Sequence, residues 1–406
     1  MLIRFKASNF RSFREPMDFS MKASSNKEHP ENTKDKPIYG KLLKSAAIFG
    51  ANAAGKSNLI KAITAALIII RTSETRQVNE LIPLVEPFAF CKEVKETSFE
   101  FEFIMDESRY IYGFSCTQKK IIEEHLTTYN SQRPAKIFKR TTKGYEFYSN
   151  EAQKQLKPLT ERTTPNKLFI ATATVWNASL TRKPYLWLSS YIDVFDSNSP
   201  MLQSLELYEK DKIGKLRLFT NNLLKEADIN ISNFTVEAKD INNPPAFMMN
   251  MPVPSIQKEY IVRTEHIVRT DGDNRAIYQL PLSAESKGTQ NLFFLSPWIK
   301  KALDKGYVFC VDELDASMHP ALLLYIVNLF NSSETNPKGA QLIMTTHTTD
   351  LLSTSIMRRD QIFFVEKDND TGLSDLYSLN DFPARTREDI RKAYIAGRFG
   401  AIPNIL

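Results

Sequence analysis

The run Gly50-Ala51-Asn52-Ala53-Ala54-Gly55-Lys56-Ser57 narrows the possible folds sharply, because it fits Gly-x-x-x-x-Gly-Lys-Ser at every defined position. Such a turn needs a buried strand before it and a helix after it. Ser45–Phe49 reads as that strand, and the apolar spacing of Ser57–Arg71 reads as that helix. Gly50 and Gly55 let the backbone wrap closely around phosphate oxygens, while the amides and the helix N-terminus supply positive field. In this reading Lys56 reaches the β- and γ-phosphates and Ser57 ligates Mg²⁺.

Val308–Val311 is a second apolar strand, and it ends in the carboxylate pair Asp312 and Glu313. If it lies in the same sheet, its carboxylates face the crevice that holds the P-loop. Asp312 is then expected to hold Mg²⁺ through water, and Glu313 to polarise the water that attacks the γ-phosphate. A helix cap explains an isolated Asp-Glu equally well. Beside a P-loop the catalytic role is preferred. Gln341–Thr345 reads as a further buried strand that delivers His347 at its end, where it could sense the γ-phosphate and hold the water in line. Ser286-Lys287-Gly288-Thr289-Gln290 precedes an apolar helix over Asn291–Ala302. It offers a second anion-binding N-terminus, or simply a capped helix with Ser286 or Thr289 as the cap.

Around these motifs the chain divides by period. Leu2, Phe5, Phe10, Phe13 and Phe19 suit strands facing a core, and Lys22–Lys44, polar and proline-containing, reads as a surface loop. Thr97–Tyr148 alternates aromatic and polar residues, which predicts an antiparallel meander. Glu151–Ile229 has helical spacing, Ile231–Ala238 and Tyr260–Gln279 return to strand, and the loop Asn242–Pro254 carries four prolines. Strand and helix alternate after Tyr307, the mark of a parallel sheet under helices. The expected fold is α/β: a P-loop core with a parallel sheet flanked by helices, an antiparallel β subdomain and a largely helical insertion. The corresponding units are 1–150, 151–279 and 280–406. No heptad run is long enough for coiled-coil arms.

Composition narrows the setting. Three scattered cysteines offer neither a disulfide framework nor a CxxC zinc site, and the longest apolar stretch, Ala62–Ile70, is too short to span a bilayer. The first ten residues lack an apolar signal core, so a cytoplasmic protein with no membrane partner is expected. The net charge of +6 permits nucleic acid without requiring it. Arg133, Lys136, Lys139, Arg140 and Lys143 cluster around Phe138 and Tyr145 and could track a phosphate backbone, although a solvated strand face accounts for them more simply. Arg385, Arg387, Arg391, Lys392 and Arg398 form a similar group near the C-terminus.

The order of P-loop, Ser-x-Gly-Thr-Gln, Asp-Glu, Leu314-Asp315 and His347 resembles that of the ABC-type ATPases. The opening Ile3–Phe13 and the pair Asn52 and Asn58 are similar to the Rad50/SMC/RecF branch of that class. The runs Glu86–Phe90, Ser98–Phe103, Tyr110–Phe114, Asp312–Pro320, Thr345–His347 and the tail Ala396–Pro403 look like the abortive-infection ATPases of the RloA/AbiL kind in bacterial antiphage systems. The resemblance implies ATP and Mg²⁺ as cofactors and a nucleotide contacted by Asn52 and Asn58. It also implies a head-to-tail homodimer or higher homo-oligomer, in which Ser286 and Gly288 of one copy close the site of another and Asp315 relays between them. A separate effector, a nuclease or toxin, would then be the controlled partner. A DNA-repair ATPase of the RecF kind and an ATP-binding scaffold with little turnover are the alternatives. Two features depart from the ABC pattern: the signature is not Leu-Ser-Gly-Gly-Gln, although its Ser and one Gly survive, and the glutamine that couples Mg²⁺ to the inserted lobe is not assigned, Gln118 being one candidate.

Overall fold

A computed structural model describes the chain except residues 37–38, 92–94, 130, 132, 197–200, 228, 241–257, 270–274, 384–388 and 403–406. The proline-rich loop Asn242–Pro254, together with Arg385, Arg387 and Pro403, lies outside the described residues.

The apolar pentapeptide Ser45–Phe49 is buried at every position and forms an inner strand of a six-stranded sheet. Across that sheet the order is Ile192–Phe195, Val308–Val311, Gln341–Thr345, Ser45–Phe49, Ile362–Lys367 and Ser374–Ser378. The first five run parallel and the last is antiparallel. Near-continuous apolar strands suit a sheet covered on both faces. One face carries the helix Lys56–Arg71, and the other carries Lys287–Lys305 and Pro320–Asn331.

The helix Lys56–Arg71 is shared with a second sheet. Seven antiparallel strands run in the order Gly144–Phe147, Ala135–Thr141, Ile121–Tyr129, Ser108–Cys116, Thr97–Met105, Leu2–Ser8 and Met17–Ser20. The aromatic alternation predicted over Thr97–Tyr148 is their inward face, with Phe99, Phe101, Phe103 and Tyr112 almost wholly buried. Gln341 joins the two sheets: its side chain accepts the Leu2 amide at 2.6 Å and donates to the carbonyls of Leu2 and Leu43 at 2.9 and 3.0 Å.

Two expectations are corrected. Lys22–Lys44 is not a plain surface loop. Thr33–Lys36 and Gly40–Leu43 pair as a small antiparallel ribbon, and Leu42 and Leu43 are fully buried. The polar residues around them hid a two-residue apolar anchor, too short to give a period. The span expected to be a helical insertion also supplies Ile192–Phe195 to the core sheet, where it pairs with Val308–Val311. Beyond that strand come the helices Met201–Lys210 and Lys215–Glu226 and a three-stranded antiparallel sheet of Asn233–Asp240, Lys258–Arg269 and Arg275–Pro281.

Candidate nucleotide site

All five parallel strands present their C-terminal ends along one edge, as expected where ligands bind an open α/β sheet. The P-loop follows the strand Ser45–Phe49 at the inner part of that edge. Gly50 (φ 156°) has no room for a Cβ against the Val365 carbonyl. At Gly55 (φ 114°) a Cβ would lie 2.6 Å from the Ser374 hydroxyl and 2.9 Å from that of Ser12. Both glycines are therefore required by close packing as well as by backbone conformation. Asn58 donates to the Ser12 hydroxyl at 2.7 Å, which ties the first turn of the helix to the Phe10–Phe13 turn.

Lys56 is 6% exposed, and its ammonium donates to the carbonyls of Gly50 and Ala51 at 2.9 and 3.0 Å. Burial pushes its pKa below the usual lysine value, and the nearby carboxylates of Glu313, Asp312 and Asp315 push the other way. A cleft of about 240 Å³ opens here, lined by Asn52, Ala53, Gly55, Lys56, Ser57, Asn58, Lys61, Glu313 and His347. Three motifs far apart in sequence thus meet in one place. Lys61, one turn along the helix, joins them, although nothing in the sequence around it distinguishes it from a solvated lysine.

The carboxylates are set by a residue that the strand pattern alone does not single out. The hydroxyl of Thr345, at the end of the neighbouring strand, donates to Asp312 at 2.7 Å and accepts the Glu313 amide at 2.7 Å. Glu313 adopts a positive φ of 52°, rare for a non-glycine residue. That turn places its carboxylate 3.9 Å from the His347 imidazole. Asp315 accepts the His347 amide at 2.9 Å and the Thr348 hydroxyl at 3.0 Å. Within one chain, then, Asp315 props the His347 loop rather than lining the cleft.

Ser286 and Gly288 do not line that cleft either. Ser286 is the N-cap of the helix Lys287–Lys305, accepting the Thr289 amide at 3.2 Å, and it lies exposed at the surface. Gly288 is needed because a Cβ there would collide with the Ser317 carbonyl, so the signature packs onto the loop that follows Asp315. Gln118 lies away from the cleft, in the turn after Ser108–Cys116, and donates to the Val85 carbonyl at 3.4 Å.

The basic cluster resolves into separate roles. Arg140 is 6% exposed and turned inward onto Glu124 (3.4 Å) and the Lys167 carbonyl (2.6 Å). Lys136 stacks on Tyr148, and near the C-terminus Arg391 pairs with Asp350 at 2.7 Å. Among the described residues no helix is long and apolar enough to cross a membrane.

Residues 45–353 match the family described as "AAA domain, putative AbiEii toxin, Type IV TA system". The chain belongs to this family. The matched span runs from the P-loop strand past His347, so it covers the whole cleft, and the protein is accordingly a P-loop ATPase-family member. No protein of curated function matches the chain. Among solved structures it is similar to an SmcHead bound to the C-winged helix domain of ScpA (12% identity, 93% of this chain and 97% of that one, TM-score 0.46). It is also similar to the SMC head domain from Thermotoga maritima (13%, 95% and 99%, 0.40) and to cbiO1 from Clostridium perfringens (11%, 99% and 98%, 0.32). Identity and superposition are low in all three, so the sheet order and the P-loop themselves define the fold.

Proposed function

We propose that the protein hydrolyses ATP as a nucleotide-gated dimeric switch in antiphage defence, and that its closed state controls a separate nuclease or toxin. The observation that carries this reading is the separation of two half-sites on one chain. Lys56, Glu313 and His347 line the cleft, whereas Ser286 is an exposed cap, outside it, on a helix otherwise packed into the core. A helix N-terminus directed at solvent is an anion site awaiting its anion, and the P-loop cleft of a second copy would supply one. A head-to-tail pairing of two copies satisfies both halves at once.

The residues of the cleft suit a magnesium nucleotide. Lys56 is a buried ammonium held on backbone carbonyls, in a place where phosphate oxygens would be stronger partners. Ser57 and Asp312 are hard oxygen donors of the kind Mg²⁺ prefers, and Thr345 occupies only one oxygen of Asp312. When bound, the ion would neutralise phosphate charge. Glu313 would accept the proton of the attacking water, and His347 would hold that water in line. Gating follows because a nucleotide shared between two copies holds them together until it is cleaved. The defence role is supported by the family description, which names a toxin–antitoxin system.

The Glu313→Gln variant tests this reading. With ATP and magnesium it should form a stable dimer in sedimentation velocity while hydrolysing at least 100-fold more slowly than the parent. A variant that binds ATP yet stays monomeric would rule out the switch.

A further inference from the structure

The lobe inserted after Ile192–Phe195 grips the middle of the signature helix. From Met201–Lys210 the Ser204 hydroxyl donates to the Phe294 carbonyl at 2.8 Å and accepts the Trp298 indole N–H at 2.9 Å. From Lys215–Glu226 the Thr220 hydroxyl meets that of Ser296 at 2.9 Å, and Leu216 and Phe234 pack with Phe293 and Phe294 in one apolar cluster. Among the described residues, none of this lobe's side chains lines the nucleotide cleft.

The lobe also reaches the start of that helix, through a single carboxylate. Glu285 directly precedes the exposed cap Ser286, yet its own side chain is only 11% exposed. One of its oxygens accepts the Thr264 hydroxyl at 2.5 Å and lies 2.8 Å from His266 Nε2. Thr264, fully buried, and His266 both belong to Lys258–Arg269, the middle strand of the three-stranded sheet. Two partners on one oxygen satisfy a carboxylate that is otherwise drawn out of water.

The backbone of Glu285 is tied as well. Its amide donates to the Leu282 carbonyl at 3.1 Å, and its carbonyl accepts the Gln290 side-chain amide at 2.8 Å. Glu285 thus bridges sheet and helix at the residue from which Ser286 projects. Ser283, Ala284 and Ser286 are all exposed, so the turn around the signature serine owes little to packing of its own. An anion-binding group held by such a turn is only as well placed as the bonds that fix it.

We propose that Glu285 is a positioning residue for the signature: held by Thr264 and His266, it fixes where Ser286 stands and so sets the hydrolysis rate at a nucleotide bound by a second copy of this chain. This inference rests on the dimer reading above. It makes the three-stranded sheet the part of the inserted lobe that is read at the other copy's site rather than at its own.

Glu285→Ala removes both side-chain bonds. It should lower kcat at least ten-fold while each monomer binds ATP as the parent does, and Glu285→Gln, which keeps an oxygen acceptor in place, should recover most of the rate. Mixing Glu285→Ala with Lys56→Met shows where the residue acts. In the mixed dimer one site pairs the intact P-loop of the first chain with the intact signature of the second, so hydrolysis should rise roughly five-fold or more above the sum of the two alone. Ser286→Arg mixed with Lys56→Met is the control for the dimer itself. If this control recovers activity, while Glu285→Ala hydrolyses like the parent or recovers nothing on mixing, the positioning role is wrong and the dimer stands. If the control recovers nothing, both fall together. Thr264→Val removes one donor and leaves the carboxylate; it should show a smaller loss with the same recovery on mixing, and it decides the matter if Glu285→Ala does not fold.

Discussion

The Thr345 hydroxyl donates to Asp312 at 2.7 Å and, through a lone pair, accepts the amide of the adjacent Glu313 at 2.7 Å. One buried side chain on a neighbouring strand thereby orients one carboxylate and fixes the backbone turn that aims the other. Thr345→Val keeps the shape and removes both bonds. It should lower kcat at least ten-fold with little change in the ATP dissociation constant, and Thr345→Ser should restore most of the rate. Single-turnover hydrolysis with an equilibrium binding assay separates the two quantities.

Lys56 is buried on two backbone carbonyls, a cost that the phosphate oxygens of a bound nucleotide would offset further. Lys56→Met should bind ATP at least 100-fold more weakly, yet the nucleotide-free variant should melt no lower than the parent. Calorimetry without ligand and a binding titration give the two numbers.

Tyr208 repairs a break in the signature helix. Pro297 has no amide to offer the Phe293 carbonyl, and the Tyr208 hydroxyl donates there at 2.8 Å while meeting Thr220 and Ser296 at 2.9 and 2.7 Å. Tyr208→Phe leaves that fully buried cluster one donor short. A loss of about 1–3 kcal/mol in urea unfolding is expected.

On the outer face of the seven-stranded sheet, hydrogen bonds from His125 and Lys6 hold the Glu100 carboxyl down to about 2. A depressed carboxylate stabilises the fold above its unfolded value of about 4.5 and loses that contribution as pH falls toward its folded value. Glu100→Gln should therefore be less stable than the parent at pH 7, by no more than about 1 kcal/mol because the group is partly solvated. The two should converge between pH 4.5 and 2, as read from urea midpoints across that range.

The parts legible in sequence are those where chemistry fixes residue type at fixed spacing. Gly50, Gly55, Lys56 and Ser57 are dictated by a single turn, and Asp312, Glu313 and His347 stand at the ends of apolar runs that can only be buried strands. Thr345 could not be singled out from its strand pattern, because a threonine ending a strand is ordinary until its neighbour across the ladder is known. Arg140 looked like its basic neighbours, but Glu124, sixteen residues earlier, turns it inward. Leu42 and Leu43 were hidden by a polar setting, and the pairing of Ile192–Phe195 with Val308–Val311 is a contact across more than a hundred residues that no local period records.

The position of Ser45–Phe49 in its sheet has a consequence for how the chain assembles. Its two strand neighbours are Gln341–Thr345 and Ile362–Lys367, both close to three hundred residues later. Pairings so distant in sequence are slow to form, since a long loop must close before any contact rewards it. During synthesis the P-loop strand therefore waits, unpaired on both sides, until most of the chain has emerged. A product interrupted before Gln341 would carry the whole phosphate-binding sequence and neither of the two strands that flank it, so the ability to bind nucleotide is acquired among the last steps of folding.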